Sequence, residues 1–252
     1  LANAGPELFS ERNEVVLAAA MALTATDITI EAWFRADPAG TGFQRIIGKE
    51  TDGGAAGEYS LYLDGSGYLN GTGGGVNLTD SVDMRDGEWH HAALVIKSGI
   101  VGVGNTKLYL DGVEVDNSGL GILVPAPSSS QPFMIGDFDD DGDYPQNFKG
   151  DIADVRIWND VRTAAEISEN RATEFSSSEP GLVGYFKLDD ASGTTAVDSA
   201  SAGNDGTLQN GAAFVSDVLD RNAVAAHVSK HASFDGIVGA TGDNIAIPDN
   251  AA

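Results

Sequence analysis

The chain has 252 residues, of which 42% are apolar and 32 are glycine, a composition that suits many short strands joined by tight turns. Its formal net charge is -24, and such an excess of acidic side chains argues against nucleic acids and anionic membranes as partners, because their phosphates would be repelled. There is no cysteine, so stability has to come from packing or bound metal rather than from disulfides.

Alternating apolar residues predict β-strands along the chain. The clearest pattern is in residues 27–37, where every second residue from Ile28 to Phe34 is apolar and shares one face. Glycine-containing turns at 64–67 and 111–112 predict two hairpins, because glycine reaches positive φ without strain. Further strands are predicted at 13–17, 43–49, 58–63, 68–71, 87–96, 107–115, 132–136, 148–158, 181–188 and 207–215. The predicted fold class is all-β.

Helical signals occur at one place. Thr163 is a predicted N-cap for a short helix over 164–171, and Glu166 at the third helical position completes a capping box. The longest apolar run, Val15 to Leu23, is far shorter than the ~18 residues that a membrane span needs, so we expect no membrane insertion.

Residues 137–147 are dense in oxygen ligands. Asp137, Asp139 and Asp141 alternate before Gly142, so a tight turn would point three carboxylates at one centre. Crowded carboxylates repel one another unless a cation is bound. Calcium takes roughly six to eight oxygens, which suits this segment, whereas zinc would require nearby histidine or cysteine.

The predicted calcium ligands are carboxylate and amide side chains of this segment, supplemented by backbone carbonyls. They are Asp137, Asp139, Asp140, Asp141, Asp143, Gln146 and Asn147. A helix-loop-helix calcium motif is rejected, because its twelfth position would be Phe148 rather than a glutamate and a strand pattern follows. Tyr144 is predicted to be an exposed stacking platform for a ligand. The alternative interpretation is a solvated acidic turn.

Eight segments together resemble a known family. They are ITIEAWFRAD (28–37), RIIGKE (45–50), YSLYLDGSGYL (59–69), DGEWHHAALV (86–95), KLYLDGVEV (107–115), FMIGDFD (133–139), FKGDIADVRIWNDVRTAAEI (148–167) and GLVGYFKLDDASGTTAVDSASAGNDGTL (181–208). In this order they resemble the laminin G-like and pentraxin-like domains of the concanavalin A-like superfamily. The resemblance implies a jelly-roll sandwich of two curved antiparallel sheets, with a calcium site at its rim that binds sugars, peptides or proteins.

The resemblance also implies roles for particular residues. In pentraxins, the acidic and amide residues that follow the strand equivalent to FMIG bind calcium and, through it, the ligand, which matches the loop described above. An earlier loop contributes further ligands, for which Glu50 and Asp52 are the candidates here. The pentraxin disulfide is absent, which favours a bacterial laminin G-like branch and disfavours a pentamer.

The resemblance predicts a division of the chain into two regions. Residues 13–215 are predicted to form the jelly-roll domain, and residues 216–252 a linker and a strand. Residues 231–248 look like the opening strands of the same family's domain, so the tail would begin a further repeat or complete a split one. This arrangement implies flanking domains in a large, secreted bacterial adhesin-like protein at the cell surface.

Catalytic constellations are not evident in the sequence. A retaining glycosidase needs two carboxylates about 5 Å apart, and Asp151 and Asp154 are predicted to lie on opposite faces of their strand. His90 and His91 also alternate, so we expect only one of them to point inward, in a structural role. We therefore predict that the chain is not an enzyme and assign no catalytic residues.

Other polar and aromatic groups have structural interpretations. Trp33, Trp89 and Trp158 lie in apolar strand patterns and are predicted to pack in the core. His227 and His231 have the spacing of a helical metal pair but no third ligand. Turn chemistry explains most of a second oxygen-rich group, although a second calcium ion is an alternative; its members are Asp189, Asp190, Asp198, Asn204 and Asp205.

The leading hypothesis is a calcium-dependent extracellular module that binds a glycan or peptide on a cell surface. One alternative is a structural spacer that calcium rigidifies and that has no ligand. The other alternative is an accessory domain of a polysaccharide-degrading enzyme.

Overall fold

The computed structural model describes twelve segments of the chain. They are residues 14–17, for which only the backbone is considered, and 27–49, 59–73, 75–97, 105–118, 133–137, 146–175, 179–190, 192–200, 204–209, 212–215 and 219–220. Among these residues, no helix is both long and apolar enough to cross a membrane.

The larger of two antiparallel sheets has eight strands in the described residues. In spatial order these are β13 (Thr195–Ala196), β14 (Gly206–Gln209), β1 (Glu14–Leu17), β10 (Met134–Ile135), β3 (Gln44–Lys49), β4 (Tyr59–Leu63), β5 (Tyr68–Gly73) and β6 (Val76–Asp83). Strand β10 is central to the site described below, because it joins β1 to β3 and leads directly into the acidic segment.

The smaller sheet has six strands within the described segments. In spatial order these are β12 (Leu182–Phe186), β11 (Gly150–Trp158), β2 (Asp27–Ala36), β7 (His90–Lys97), β8 (Thr106–Leu110) and β9 (Val113–Asn117). The predicted all-β jelly-roll sandwich is confirmed.

The main core lies between the two sheets. Every second residue of β2, from Ile28 to Ala36, is buried there against residues of the larger sheet such as Leu61. Strand β5 presents glycine to this core: a Cβ atom on Gly71 would lie 2.8 Å from the Leu94 side chain. The absence of a side chain at that position lets the leucine fill the space between the sheets.

A second buried layer covers the outer face of the smaller sheet. Trp33 and Trp158, on that face, are each 1% exposed, which confirms that they pack in the interior. Trp89 is half-buried beside Trp33, and the guanidinium of Arg35 lies 5.1 Å from its ring centroid. Leu219 packs against Trp33 as well, so the chain beyond β14 contributes to this layer.

The predicted helix is present as α1 (Ala164–Asn170), one residue shorter than expected. Its capping box forms as predicted. The Glu166 amide donates to the Thr163 hydroxyl at 3.2 Å, and the Thr163 amide donates to the Glu166 carboxylate at 2.8 Å. These bonds satisfy backbone donors that a helix leaves without partners at its N-terminus.

Strand β6 was not predicted, and β14 is shorter than the predicted strand. Residues 76–83 read VNLTDSVD, in which Val76 and Leu78 point into the core, whereas Asp80 interrupts the apolar pattern and Val82 is exposed, as befits an edge strand. Strand β14 ends at Gln209, although Phe214 further on still packs against the main core.

Candidate functional site

The acidic segment leaves the larger sheet at the end of β10. The amide of Gly136 donates to the carbonyl of Ile46 at 3.0 Å, which extends the β10–β3 pairing by one residue. Asp137 follows directly and is 1% exposed, and neither of its carboxylate oxygens is accessible to solvent. Carboxylates are almost never buried to this extent unless they are paired or bound to a metal.

Two backbone hydrogen bonds close the base of the segment. The Phe148 amide donates to the Gly136 carbonyl at 2.7 Å, and the Arg45 amide donates to the Gln146 carbonyl at 2.7 Å. The segment therefore begins and ends side by side, with Asp137 at one end and Asn147 at the other. The amide oxygen of Asn147 is also inaccessible to solvent.

Three of the seven predicted calcium ligands lie in the described residues. Asp137 and Asn147 bring buried oxygens to the closed base, which is the donor chemistry that calcium prefers. The Gln146 side-chain oxygen instead accepts a hydrogen bond from the Arg45 guanidinium at 2.8 Å. The remaining predicted site residues lie outside the described residues; they are Asp139, Asp140, Asp141, Asp143, Tyr144, Glu50 and Asp52.

The described residues do not make a metal site by themselves. Nowhere in the described segments do three histidine, aspartate or glutamate side chains form a group that could hold a metal ion. A cation at the closed base would therefore need ligands from residues 138–145, as the sequence predicts.

Arg45 links the acidic segment to the outer face of the larger sheet. It is almost completely buried, its guanidinium donates to the Ser60 hydroxyl at 2.6 Å, and the same group lies 4.7 Å from the centroid of the Tyr62 ring. The pairing of β3 with β4, which places Arg45 opposite Tyr62, produces this arrangement. The sequence analysis did not single out Arg45. A charged residue within an otherwise apolar strand pattern could have marked it as a residue with a specific role.

Beyond Arg45, four side chains form what we call the aromatic patch: Phe43, Tyr62, Thr72 and Asn77. Phe43 is 52% exposed, and its ring centroid lies 6.0 Å from that of Tyr62. The Tyr62 and Thr72 hydroxyls each donate to the side-chain oxygen of Asn77 at 3.2 Å. The sequence analysis missed this patch, because its members come from four different strands or strand ends.

A buried ionic network lies on the covered face of the smaller sheet. The Arg156 guanidinium contacts Glu31 at 3.4 Å and Asp154 at 2.8 Å, and it also donates to the backbone carbonyls of Asn170 and Thr173. The Trp158 indole donates to Glu31 at 2.9 Å. The network thus fastens the segment that follows α1 to the sheet.

The network has the electrostatics of a structural site. Burial raises the pKa of Glu31, but the hydrogen bond from His91 and the positive charge of Arg156 outweigh this effect and lower the pKa to about 2. A glycosidase acid needs a raised pKa instead. Glu31 is therefore ionised inside the protein at neutral pH.

Both adjacent histidines are buried, and only His90 points toward the main core, as predicted. His90 lies beside Phe34 of the main core, whereas His91 lies beside Glu31, with its Nε2 atom 3.3 Å from the carboxylate. The side chains do alternate between faces, but the outer face of this sheet is covered as well.

His90 lies between two carboxylates. Its ring nitrogens lie 3.0 Å from Asp111 and 3.3 Å from Asp86. Burial lowers the pKa of His90, but the hydrogen bond and charge of Asp111 and the charge of Asp86 outweigh it, so the net shift is upward.

The second oxygen-rich group behaves as a hydrogen-bonded turn. The Asp198 carboxylate accepts from the amides of Tyr185 and Ala200 and from the side chain of Asn204, at 2.9–3.0 Å. Asp205 in turn accepts from the Asp198 amide at 2.9 Å. The turn interpretation is confirmed for these residues.

Comparison with known proteins agrees with this architecture. A laminin G-type family model, described as the concanavalin A-like lectin/glucanases superfamily, matches residues 9–168. A crystal structure of a candidate carbohydrate-binding protein from Bacteroides ovatus ATCC 8483 has a TM-score of 0.61 and 22% identity, over 81% of this chain and 62% of that chain. This chain therefore spans less than two thirds of that protein.

A second solved structure is also similar. The native heptameric SAP-like pentraxin from Limulus polyphemus has a TM-score of 0.53 and 13% identity, over 82% of this chain and 89% of that chain. At these identities the two structures show a shared fold. Because the family model covers more than half of the sequence, the chain belongs to the laminin G-type family of the concanavalin A-like lectin/glucanase superfamily.

Proposed function

We propose that the chain is a calcium-dependent glycan-binding module whose site is built on residues 137–147. The observation that carries the proposal is the closed base of this segment: the Gly136–Phe148 backbone bond brings its two ends together, and Asp137 and Asn147, just inside that bond, both have buried side-chain oxygens. These two residues would hold the ion together with carboxylates of the residues between them. Bound calcium would supply coordination positions for ligand hydroxyls.

The rest of the chain would position that site. The hydrogen bonds of Arg45 to Gln146 and of Phe148 to Gly136 fix both ends of the loop before any ion binds. This preorganisation lowers the entropy cost of binding.

Two considerations favour a glycan over a peptide and over catalysis. The similar Bacteroides ovatus protein is described as a candidate carbohydrate-binding protein. In addition, Glu31 and Asp154 share a guanidinium in an enclosed network rather than lining a cleft. Both support a non-catalytic module.

The proposed setting is a large, secreted bacterial adhesin-like protein with flanking domains, at the cell surface. The resemblance of residues 231–248 to the opening strands of the family's domain supports a modular host. The strong negative charge is compatible with a calcium-rich exterior, where divalent ions reduce the repulsion between carboxylates.

An array of immobilised glycans and peptides tests the proposal. Binding is measured in calcium, in a chelator and after calcium is restored, while circular dichroism monitors the fold. We expect glycan binding that disappears with the chelator and returns with calcium, although the fold persists throughout.

Other results would favour the alternatives. If chelation only lowers the melting temperature and no glycan or peptide binds, the chain is a calcium-rigidified spacer. Release of reducing sugar from any polysaccharide would show catalysis and contradict the proposal.

A further inference from the structure

The aromatic patch offers an apolar surface to solvent beside the loop. Four large apolar side chains are exposed in the described residues, and Phe43 is the aromatic one among them. Its ring is inclined by 38° to that of Tyr62, so the two rings form adjoining walls rather than a closed stack. Phe43 and Tyr62 together therefore offer an aromatic surface on which a ligand could stack.

The polar groups of the patch are neutral. The side-chain oxygen of Asn77 accepts from both Tyr62 and Thr72, which fixes its orientation. Within the described part of the chain, no acceptor bonds the amide nitrogen of Asn77, which is exposed and can donate to a ligand. Small-molecule sites typically combine aromatic side chains with a few oriented polar groups, and the patch contains both.

The patch is continuous with the proposed calcium loop through Arg45. One side of the guanidinium packs on the Tyr62 ring, and the same group donates to the Gln146 side chain at the end of the loop. A ligand coordinated at the loop could therefore extend over the rings of the patch.

We infer that the aromatic patch is a sugar-contacting surface, and that the ligand is a neutral oligosaccharide; this inference rests on the proposed glycan-binding function. A pyranose ring has an apolar C–H face that suits Phe43 and Tyr62, and hydroxyls at its edge that suit Asn77. The patch contains no charged side chain, and the net charge of -24 repels sialylated or uronate sugars. The Arg45 guanidinium is buried and donates to Ser60 and Gln146, so it is not presented to a ligand on the patch.

Affinity measurements on variants test the inference. The probes are neutral gluco-, manno- and galacto-oligosaccharides, with sialylated and uronate oligosaccharides for comparison, all in calcium. We expect Phe43→Ala to weaken binding of the neutral probe roughly tenfold, because it removes one stacking wall. Tyr62→Phe keeps the ring but removes the bond to Asn77, and we expect a smaller loss.

Val197→Ala is the matched control, since it truncates an apolar side chain that is 46% exposed and lies outside the patch. It should leave affinity unchanged, and melting temperatures should show that every variant is folded. A variant of the calcium loop, Asp139→Ala with Asp141→Ala, should abolish binding.

The outcomes distinguish failure of the patch inference from failure of the proposed glycan-binding function. If the Phe43→Ala variant binds like the wild type while the loop variant does not bind, the patch is not a contact surface but the proposed function stands. If only anionic sugars bind, the ligand class is wrong. If no oligosaccharide binds, the proposed function fails and the inference fails with it.

Discussion

The guanidinium of Arg156 holds two carboxylates in a region that water does not reach. Burial of three charges is costly, and the cost is offset by the ion pairs with Glu31 and Asp154 and by hydrogen bonds to backbone carbonyls. Loss of one partner leaves a buried charge without full compensation, so the network should be sensitive to a single substitution.

We predict that Glu31→Gln lowers the free energy of unfolding at pH 7 by about 3 kcal/mol, as for other broken buried pairs. Because the folded-state pKa of Glu31 is lowered to about 2 from 4.5, its contribution is present above pH 4.5 and is lost as the pH falls toward 2. The difference between variant and wild type should therefore shrink in that window. Urea unfolding from pH 7 down to pH 3 measures it.

The control for this variant is Glu88→Gln, which changes an exposed glutamate and should alter stability by less than about 0.5 kcal/mol. A difference between Glu31→Gln and wild type that stays constant down to pH 3 would contradict the assignment of a charged, paired Glu31.

His90 shows the opposite pH dependence. Its pKa is raised in the folded protein by Asp111 and Asp86, so the protonated ring stabilises the fold fully below pH 6.5. That stabilisation is lost as the pH rises through the folded-state pKa. Relative to a His90→Asn variant, the wild type should lose stability between pH 6 and pH 9. Urea unfolding across this range checks the prediction, and a constant or growing advantage for the wild type would refute it.

At the scale of elements, the pairing of β11 with β2 depends on a glycine. Gly150 begins β11 with φ at +139°, and a Cβ atom there would lie 2.0 Å from the Arg35 carbonyl oxygen. No ordinary side chain fits without displacing the neighbouring strand.

We predict that Gly150→Ala destabilises the protein by about 3 kcal/mol, because the backbone must move and the new residue is strained. The control is Gly65→Ala in the β4–β5 turn, where a Cβ atom would meet nothing within 4 Å. Thermal unfolding of both variants measures the effect. Equal melting temperatures would show that the β11–β2 pairing adapts more readily than its geometry implies.

Local patterns explain which elements could be predicted from the sequence. The apolar alternation in β2 predicted a buried strand, and Thr163 with Glu166 predicted the start of the helix. Both could be read from the sequence because the residues involved are close together in the chain. Strand β6 escaped prediction because its outward residues are polar and its edge position buries only one side.

At the scale of the whole molecule, the candidate site could likewise be predicted only where its residues are close together in the sequence. The acidic segment was recognisable from the sequence, since its carboxylates are neighbours in the chain, and calcium binding there stays a prediction. The aromatic patch was not, because pairing of β3 through β6 brings together Phe43 and Asn77. Likewise, Glu31 and Arg156 are 125 residues apart and meet only because β2 pairs with β11.

The large negative charge predicts that bound calcium stabilises the folded chain. With a net charge of -24, the folded chain concentrates carboxylates, and an ion that binds only the folded state stabilises it in proportion to the logarithm of its concentration. Calcium binding should therefore be visible both as heat and as a rise in melting temperature.

Calorimetric titration of calcium into the purified chain tests the central claim most directly. The proteins compared are the wild type, a loop variant (Asp139→Ala with Asp141→Ala) and a charge-matched control (Asp189→Ala with Asp190→Ala). We predict saturable binding to the wild type and to the control, and loss of that binding in the loop variant. No saturable heat in the wild type, or equal binding by the loop variant, would contradict a calcium site in residues 137–147.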